Sequence, residues 1–170
     1  IRRRKLAREV VGVSRRRSTL RLAARRGAID VGTTDLSRAV HEADLIILCT
    51  PVETIVSSAA RLAPSLRRGS IVTDVGSTKT QIVGRLERAL GRHVAFVGGH
   101  PLAGSERRGI GAADPRLFDE TVCILTPTPR TSQPALRRVT RLWKRLACQV
   151  VTMSPRRHDR LLAGASHLPH

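Results

Sequence analysis

The stretch Val94-Ala-Phe-Val-Gly-Gly-His-Pro-Leu-Ala-Gly-Ser-Glu106 sets an apolar run against two small-residue turns, with one histidine, His100, between them. Such a run reads as a buried strand, and His100 reads as a single titratable side chain delivered at its end. Gly98 and Gly99 let backbone approach a bound molecule closely, while Pro101 fixes its own φ and biases His100 toward an extended conformation. In open α/β sheets the ligand crevice lies beyond the carboxyl ends of the strands. His100 is therefore placed for chemistry if the flanking chain alternates strand with helix.

It does so on both sides. Upstream, Val10–Val13 predicts a strand, and Leu20, Leu22, Ala23 and Ala24 predict a helix closed by Gly27. Asp35 is placed to cap a helix from Leu36 to His41, followed by the buried-type strand Leu45–Cys49 and a helix with apolar Val52, Ile55, Val56, Ala59 and Leu62. Ser70–Thr73 predicts another strand, Asp74–Lys79 a turn rich in small donors, and Gln81–Leu90 a helix. Downstream, Arg107–Phe118 reads as loop or short helix, Thr121–Leu125 as a strand, Ser132–Leu146 as an amphipathic helix and Gln149–Thr152 as the last strand. Trp143 falls on the apolar face of that helix with Leu136, Val139, Leu142 and Leu146, which assigns it to the core. Ser154-Pro155 opens a final helix. The pattern predicts an α/β fold, a doubly wound, mostly parallel sheet.

Composition narrows the chemistry. With 170 residues and 41% hydrophobic content the chain can bury a sizeable core, and it has no run long enough to span a bilayer and no secretory signal, so the cytoplasm is expected. Cys49, Cys123 and Cys148 are odd in number, far apart and set among aliphatic residues, which predicts buried thiols and no metal site. The net charge of +18 raises nucleic acid as a partner. Against it, arginines are spread over every predicted helix, and with 2% aromatics the chain lacks stacking platforms for single strands.

No Gly-x-Gly-x-x-Gly motif occurs in the sequence. If the sheet binds a dinucleotide, Ile1–Leu6 reads as the tail of its first helix and Val10–Val13 as its second strand. The residue meeting the adenosine ribose is then Ser14, where an NAD site usually has an acid. Ser14 with Arg15 and Arg16 leans to NADP, because the arginines can pair with a 2′-phosphate; a solvated basic turn is the other reading. Thr50 and Pro51, and then Gly76, Ser77 and Thr78, end the next two strands with donors that would face a nicotinamide or its ribose.

Asp74–Lys79, Gly98–Glu106, Ile124–Thr128, Met153–Pro155 with His158-Asp159, and Ser166–His170 together resemble the prephenate dehydrogenase family, including its arogenate and cyclohexadienyl members. The resemblance covers essentially the whole chain. It implies a Rossmann-like domain over residues 1–153, lacking its first strand and Gly-rich loop, and the start of a helical second domain over 154–170. It implies oxidative decarboxylation of prephenate or arogenate with NAD or NADP, in tyrosine biosynthesis, by a homodimer of which this chain is a fragment with little activity alone. His100 is then the catalytic histidine, and Ser77 bridges it to substrate and nicotinamide. Ser105, Ser166 and His170 line the substrate pocket, and His167 is structural. A basic nucleic-acid module and a sheet domain that keeps the pocket without a cofactor are the competing readings.

Overall fold

The computed structural model describes residues 1–104 and 109–166, the side chains of 165 and 166 excepted. A short sheet comes first. Strands β1 (Val11–Val13) and β2 (Val31–Thr33) pair in parallel, Val11 opposite Val31, with helix α1 (Arg17–Arg25) between them in sequence. Helix α2 (Leu36–His41) follows, its start fixed by Asp35, whose carboxylate accepts from the Arg38 N–H at 3.0 Å.

The main sheet has five strands in the order β3 (Leu45–Leu48), β4 (Ile71–Asp74), β5 (Ala95–Pro101), β6 (Val122–Thr126) and β7 (Gln149–Thr152). Helix α3 (Val52–Leu62) links β3 to β4, α4 (Thr80–Ala89) links β4 to β5, and α5 (Gln133–Arg145) links β6 to β7, each joining parallel neighbours. Between β5 and β6 there is no crossover helix among the described residues, only a 3-10 turn at Ile110–Ala112, and there the pairing is antiparallel. The chain continues into α6 (Pro155–Ser166), whose first turn is capped by the Ser154 hydroxyl accepting from Arg157 N at 3.3 Å. The sheet is mostly parallel, flanked by helices and Rossmann-like.

Alternation along the strands explains the layers. Val72 and Phe96 point to a cluster with Ile55, Leu62, Ile82 and Leu86, while Ile71 and Val97 point to a second with Leu125, Val139 and Trp143. Each such side chain, at or near full burial, contributes about 1.5–3 kcal/mol. Trp143 is 2% exposed and meets Phe118 edge-on, which places it in the core as its helical spacing predicts.

Three expectations change, and one strand appears that the sequence pattern did not predict. Residues 2–4 form a single 3-10 turn rather than the tail of an α-helix. Strand β2 carries no apolar alternation and is held in place by its pairing, with Asp30 N and Val31 N both donating to Val10 O. Cys49 is exposed rather than buried, because the chain leaves the sheet directly after Leu48; Cys123 and Cys148 are buried. Finally, β5 does not stop at Val97 but runs on through Gly98-Gly99-His100-Pro101, opposite Thr126 to Cys123 of β6.

Candidate active site

The extension of β5 changes what its glycines do. A Cβ on Gly99 would lie 2.8 Å from the Asp74 carbonyl oxygen, and one on Gly98 would lie 2.9 Å from Val83. Both positions are small because neighbouring strand and helix press on them. The close approach expected of a ligand is made by the protein itself.

Asp74, the last residue of β4, is fully buried with Lys79 beside it. One Asp74 oxygen accepts from Gly99 N at 3.1 Å; the other accepts from Gly76 N at 2.9 Å and from Lys79 Nζ. Lys79 Nζ also donates to Gly99 O at 2.8 Å. The two charges thus hold both faces of the residue preceding His100 and tie the turn after β4 to β5. Burial pushes the Asp74 carboxyl up and the Lys79 ammonium down, and each charge opposes the other's shift.

His100 is half-buried, and its Nδ1 lies 2.9 Å from Nε2 of His158, which α6 contributes and which has no exposed surface. His158 Nδ1 lies 2.8 Å from an Asp159 oxygen. That carboxylate accepts from Lys79 N and Thr80 N, each at 2.8 Å, so it caps the first turn of α4. Burial first, then the neighbouring His158 ring and the Lys79 ammonium, push His100 down from 6.5 to about 4 against the pull of Asp159. Burial raises Asp159, but its bonds from Thr80, His158 and Lys79 prevail and bring it to about 2.

The remaining expected site residues divide by position. Because β3, β4 and β5 are adjacent and parallel, their ends carry Thr50, Ser77 with Thr78, and His100 to one edge of the sheet. Thr50, Ser77 and Thr78 are exposed, and Pro51 is the N-cap of α3. The donor expected at Gly76 is not free: the residue is buried and its N–H is taken by Asp74. Ser14 follows β1 in the other sheet, with Arg15 and Arg16 exposed beside it, and its hydroxyl accepts from Arg16 N at 3.3 Å. Ser105, His167 and His170 lie outside the described residues, as does the side chain of Ser166, the last residue of α6.

Sequence reasoning singled out His100 and missed its supports. Asp74 and Lys79 read as parts of a polar turn; the available signal was an acid closing a buried-type strand with a lysine five residues on. His158 and Asp159 entered only as part of the family pattern and were given no role, since their partners are 58 and 80 residues away.

Exposed hydroxyls beside a half-buried imidazole, at the carboxyl ends of parallel strands, fit the nicotinamide half of a dinucleotide. Ser14, neutral and followed by two exposed arginines, fits an adenosine ribose or its 2′-phosphate. Among the described residues no group of three His, Cys, Asp or Glu could hold a metal, and no helix is long and apolar enough to cross a membrane.

Residues 1–152 match the family model for the nucleotide-binding domain of prephenate dehydrogenase. The chain is 39% identical over 138 residues to cyclohexadienyl dehydrogenase of Zymomonas mobilis, covering 81% of this chain and 47% of that protein. It is 38% identical over 149 residues to prephenate dehydrogenase of Bacillus subtilis, covering 87% of this chain and 40% of that one. The chain thus spans about half the length of these curated relatives, or less. Among solved structures, Aquifex aeolicus prephenate dehydrogenase in complex with hydroxyphenyl propionate and NAD+ superposes with a TM-score of 0.91 at 35% identity, over 99% of this chain and 59% of that one.

Proposed function

The chain belongs to the prephenate dehydrogenase family, and from that premise we propose that it is the nucleotide-binding part of an enzyme that converts prephenate to 4-hydroxyphenylpyruvate and carbon dioxide. Arogenate is the alternative substrate. The observation that carries this reading is His100: a half-buried imidazole at the shared edge of β3, β4 and β5, with its Nδ1 2.9 Å from the ring of a second histidine, His158.

When bound, NAD(P)+ supplies the acceptor for the electron pair that leaves the substrate ring as carbon dioxide is lost. His100, uncharged through the neutral range, accepts the hydrogen bond of the ring hydroxyl and draws its proton as that carbon becomes a phenol carbon. Ser77 orients hydroxyl and imidazole, since its turn is tied to the backbone preceding His100 through Asp74 and Lys79. Thr50, Pro51 and Thr78 line the nicotinamide side. Ser14, Arg15 and Arg16 hold the adenosine end, and the two guanidinium groups favour NADP over NAD. Ser105, Ser166 and His170 contact the substrate. The same reading expects a homodimer in the cytoplasm.

His100→Asn tests the assignment. Turnover of prephenate should fall by roughly 10²–10⁴-fold, the usual worth of a well-placed base, while NADP+ affinity measured by titration stays within a factor of about two. Unchanged turnover in that variant removes His100 from the chemistry.

A further inference from the structure

The contacts behind His100 decide which of its nitrogens faces the substrate. We propose that His158 and Asp159 are positioning residues that hold His100 in one tautomer, with the proton on Nδ1 and the bare lone pair on Nε2 directed at the substrate hydroxyl. The proposal rests on the reading of His100 above and names how that same site is set.

Asp159 is the fixed end of this chain of contacts. An ionised carboxylate only accepts hydrogen bonds, and both of its oxygens already receive backbone N–H groups, from Lys79 and Thr80. Its 2.8 Å contact with His158 Nδ1 therefore requires the proton to be on that nitrogen. A neutral His158, fully buried, then has Nε2 as an acceptor. Nε2 lies 2.9 Å from His100 Nδ1, which must donate. A neutral imidazole has one ring N–H, so the Nε2 of His100 is left as its only acceptor. Each step removes one choice, and the last removes it at the reacting atom. In the other tautomer His100 would present an N–H to the hydroxyl and could not take its proton. A doubly protonated His158 would reverse the chain, and it would place a cation with no exposed surface against the His100 ring, with the Asp159 carboxylate on its other side as the sole offset.

The decisive measurement is long-range ¹H–¹⁵N NMR of the ring nitrogens of His100 between pH 5.5 and 8, which needs no substrate. The expected spectrum shows Nδ1 protonated and Nε2 bare. His158→Asn keeps an amide nitrogen for Asp159 but leaves nothing at the acceptor position, so His100 should exchange between tautomers. Its kcat on prephenate should fall roughly tenfold, with KM changed less than about twofold, as expected for one hydrogen bond lost in positioning. His158→Gln can place its amide oxygen at the lost acceptor position and should restore the single tautomer and most of kcat. A wild-type spectrum with the proton on Nε2 overturns the proposal whether or not either variant folds, and so does an unaltered tautomer in a folded His158→Asn protein. A spectrum as expected in a protein that does not oxidise prephenate would leave the tautomer assignment standing and remove the proposed function instead.

Discussion

Around the end of β5, the polar groups that hold His100 find partners in remote parts of the chain: Gly99 with Asp74 and Lys79, His100 with His158, Asp159 with the start of α4. The edge formed by β1 and β2 is built differently. Val11, Val13 and Val31 are 37%, 41% and 45% exposed, and the side-chain bonds there, Val10 N to Asp30 and Arg16 N to the Ser14 hydroxyl, lie in solvent. One region is buried and cross-linked through distant contacts; the other is a shallow, solvated ledge. The end assigned to proton transfer is thus held by the global fold, where displacement of an imidazole is costly. The end assigned to the adenosine needs little more than a half-buried hydroxyl and two exposed cations.

The strongest test of this contrast is Lys79→Met. It leaves the Asp74 carboxylate buried without its counter-charge, and the expected loss is about 3–5 kcal/mol of unfolding free energy by urea or thermal denaturation. Adding Asp74→Asn to the same protein should recover part of that loss, because the stranded charge is gone. Arg2→Ala, which breaks an exposed pair with Asp30 beside β1, should cost far less. If the two single variants were equally mild, the contrast would be broken at its root.

Gly99→Ala probes the same end without touching a charge. The new methyl would sit 2.8 Å from the Asp74 carbonyl oxygen, a backbone atom that cannot rotate away, so β4 and β5 must part. The expected destabilisation is about 1–3 kcal/mol. Because Gly99 also carries the Lys79 bond, His100 should move with it, and turnover should fall along with stability.

These two residues show where sequence reading ran out. Strands β3, β4 and β6 were legible because apolar runs bounded by turn residues are local signals, and so was the Asp35 cap. His100 was legible as the one titratable side chain at such a run's end. Glycine misled the reading of β5, since its usual meaning is a turn, whereas here it answers to Asp74 and Thr126 across the sheet. The supports of His100 were out of reach for a related reason. A hydrogen bond between residues 58 apart exists only once the sheet has formed. Strand β2, with one valine in three residues, likewise has no existence apart from its neighbour.

Acid should also separate the regions, more gently. His100 takes up a proton near 6.5 when unfolded and near 4 when folded, so the unfolded chain binds more protons between those values. Stability should therefore decline as pH falls through 6.5 toward 4, and His100→Asn should flatten that part of the profile. Asp159 adds a second, lower window: its folded pKa of about 2 means that the stabilisation present above about 3.8 is lost as pH falls toward 2. Denaturation midpoints between pH 7 and 4 check the first window, and a slope unaffected by His100→Asn would contradict the environment described for it.

The smallest expected effect lies on the ledge itself. Asp35→Ala removes the side-chain acceptor for Arg38 N at the start of α2, a loss worth about 1 kcal/mol for a typical N-cap. Helix α2 is only six residues long and packs against β1 on one side and against α3 and the main core on the other. If the ledge opens apart from the main sheet, the loss should appear locally. Amide exchange at Arg38 and Ala39 should quicken roughly fivefold, while protection in β4 and β5 and the denaturation midpoint scarcely move. Should the midpoint fall by the full amount and β4 exchange faster in step with α2, the ledge and the sheet would be one cooperative unit. The stiffness ascribed to the His100 end would then be a property of the whole domain.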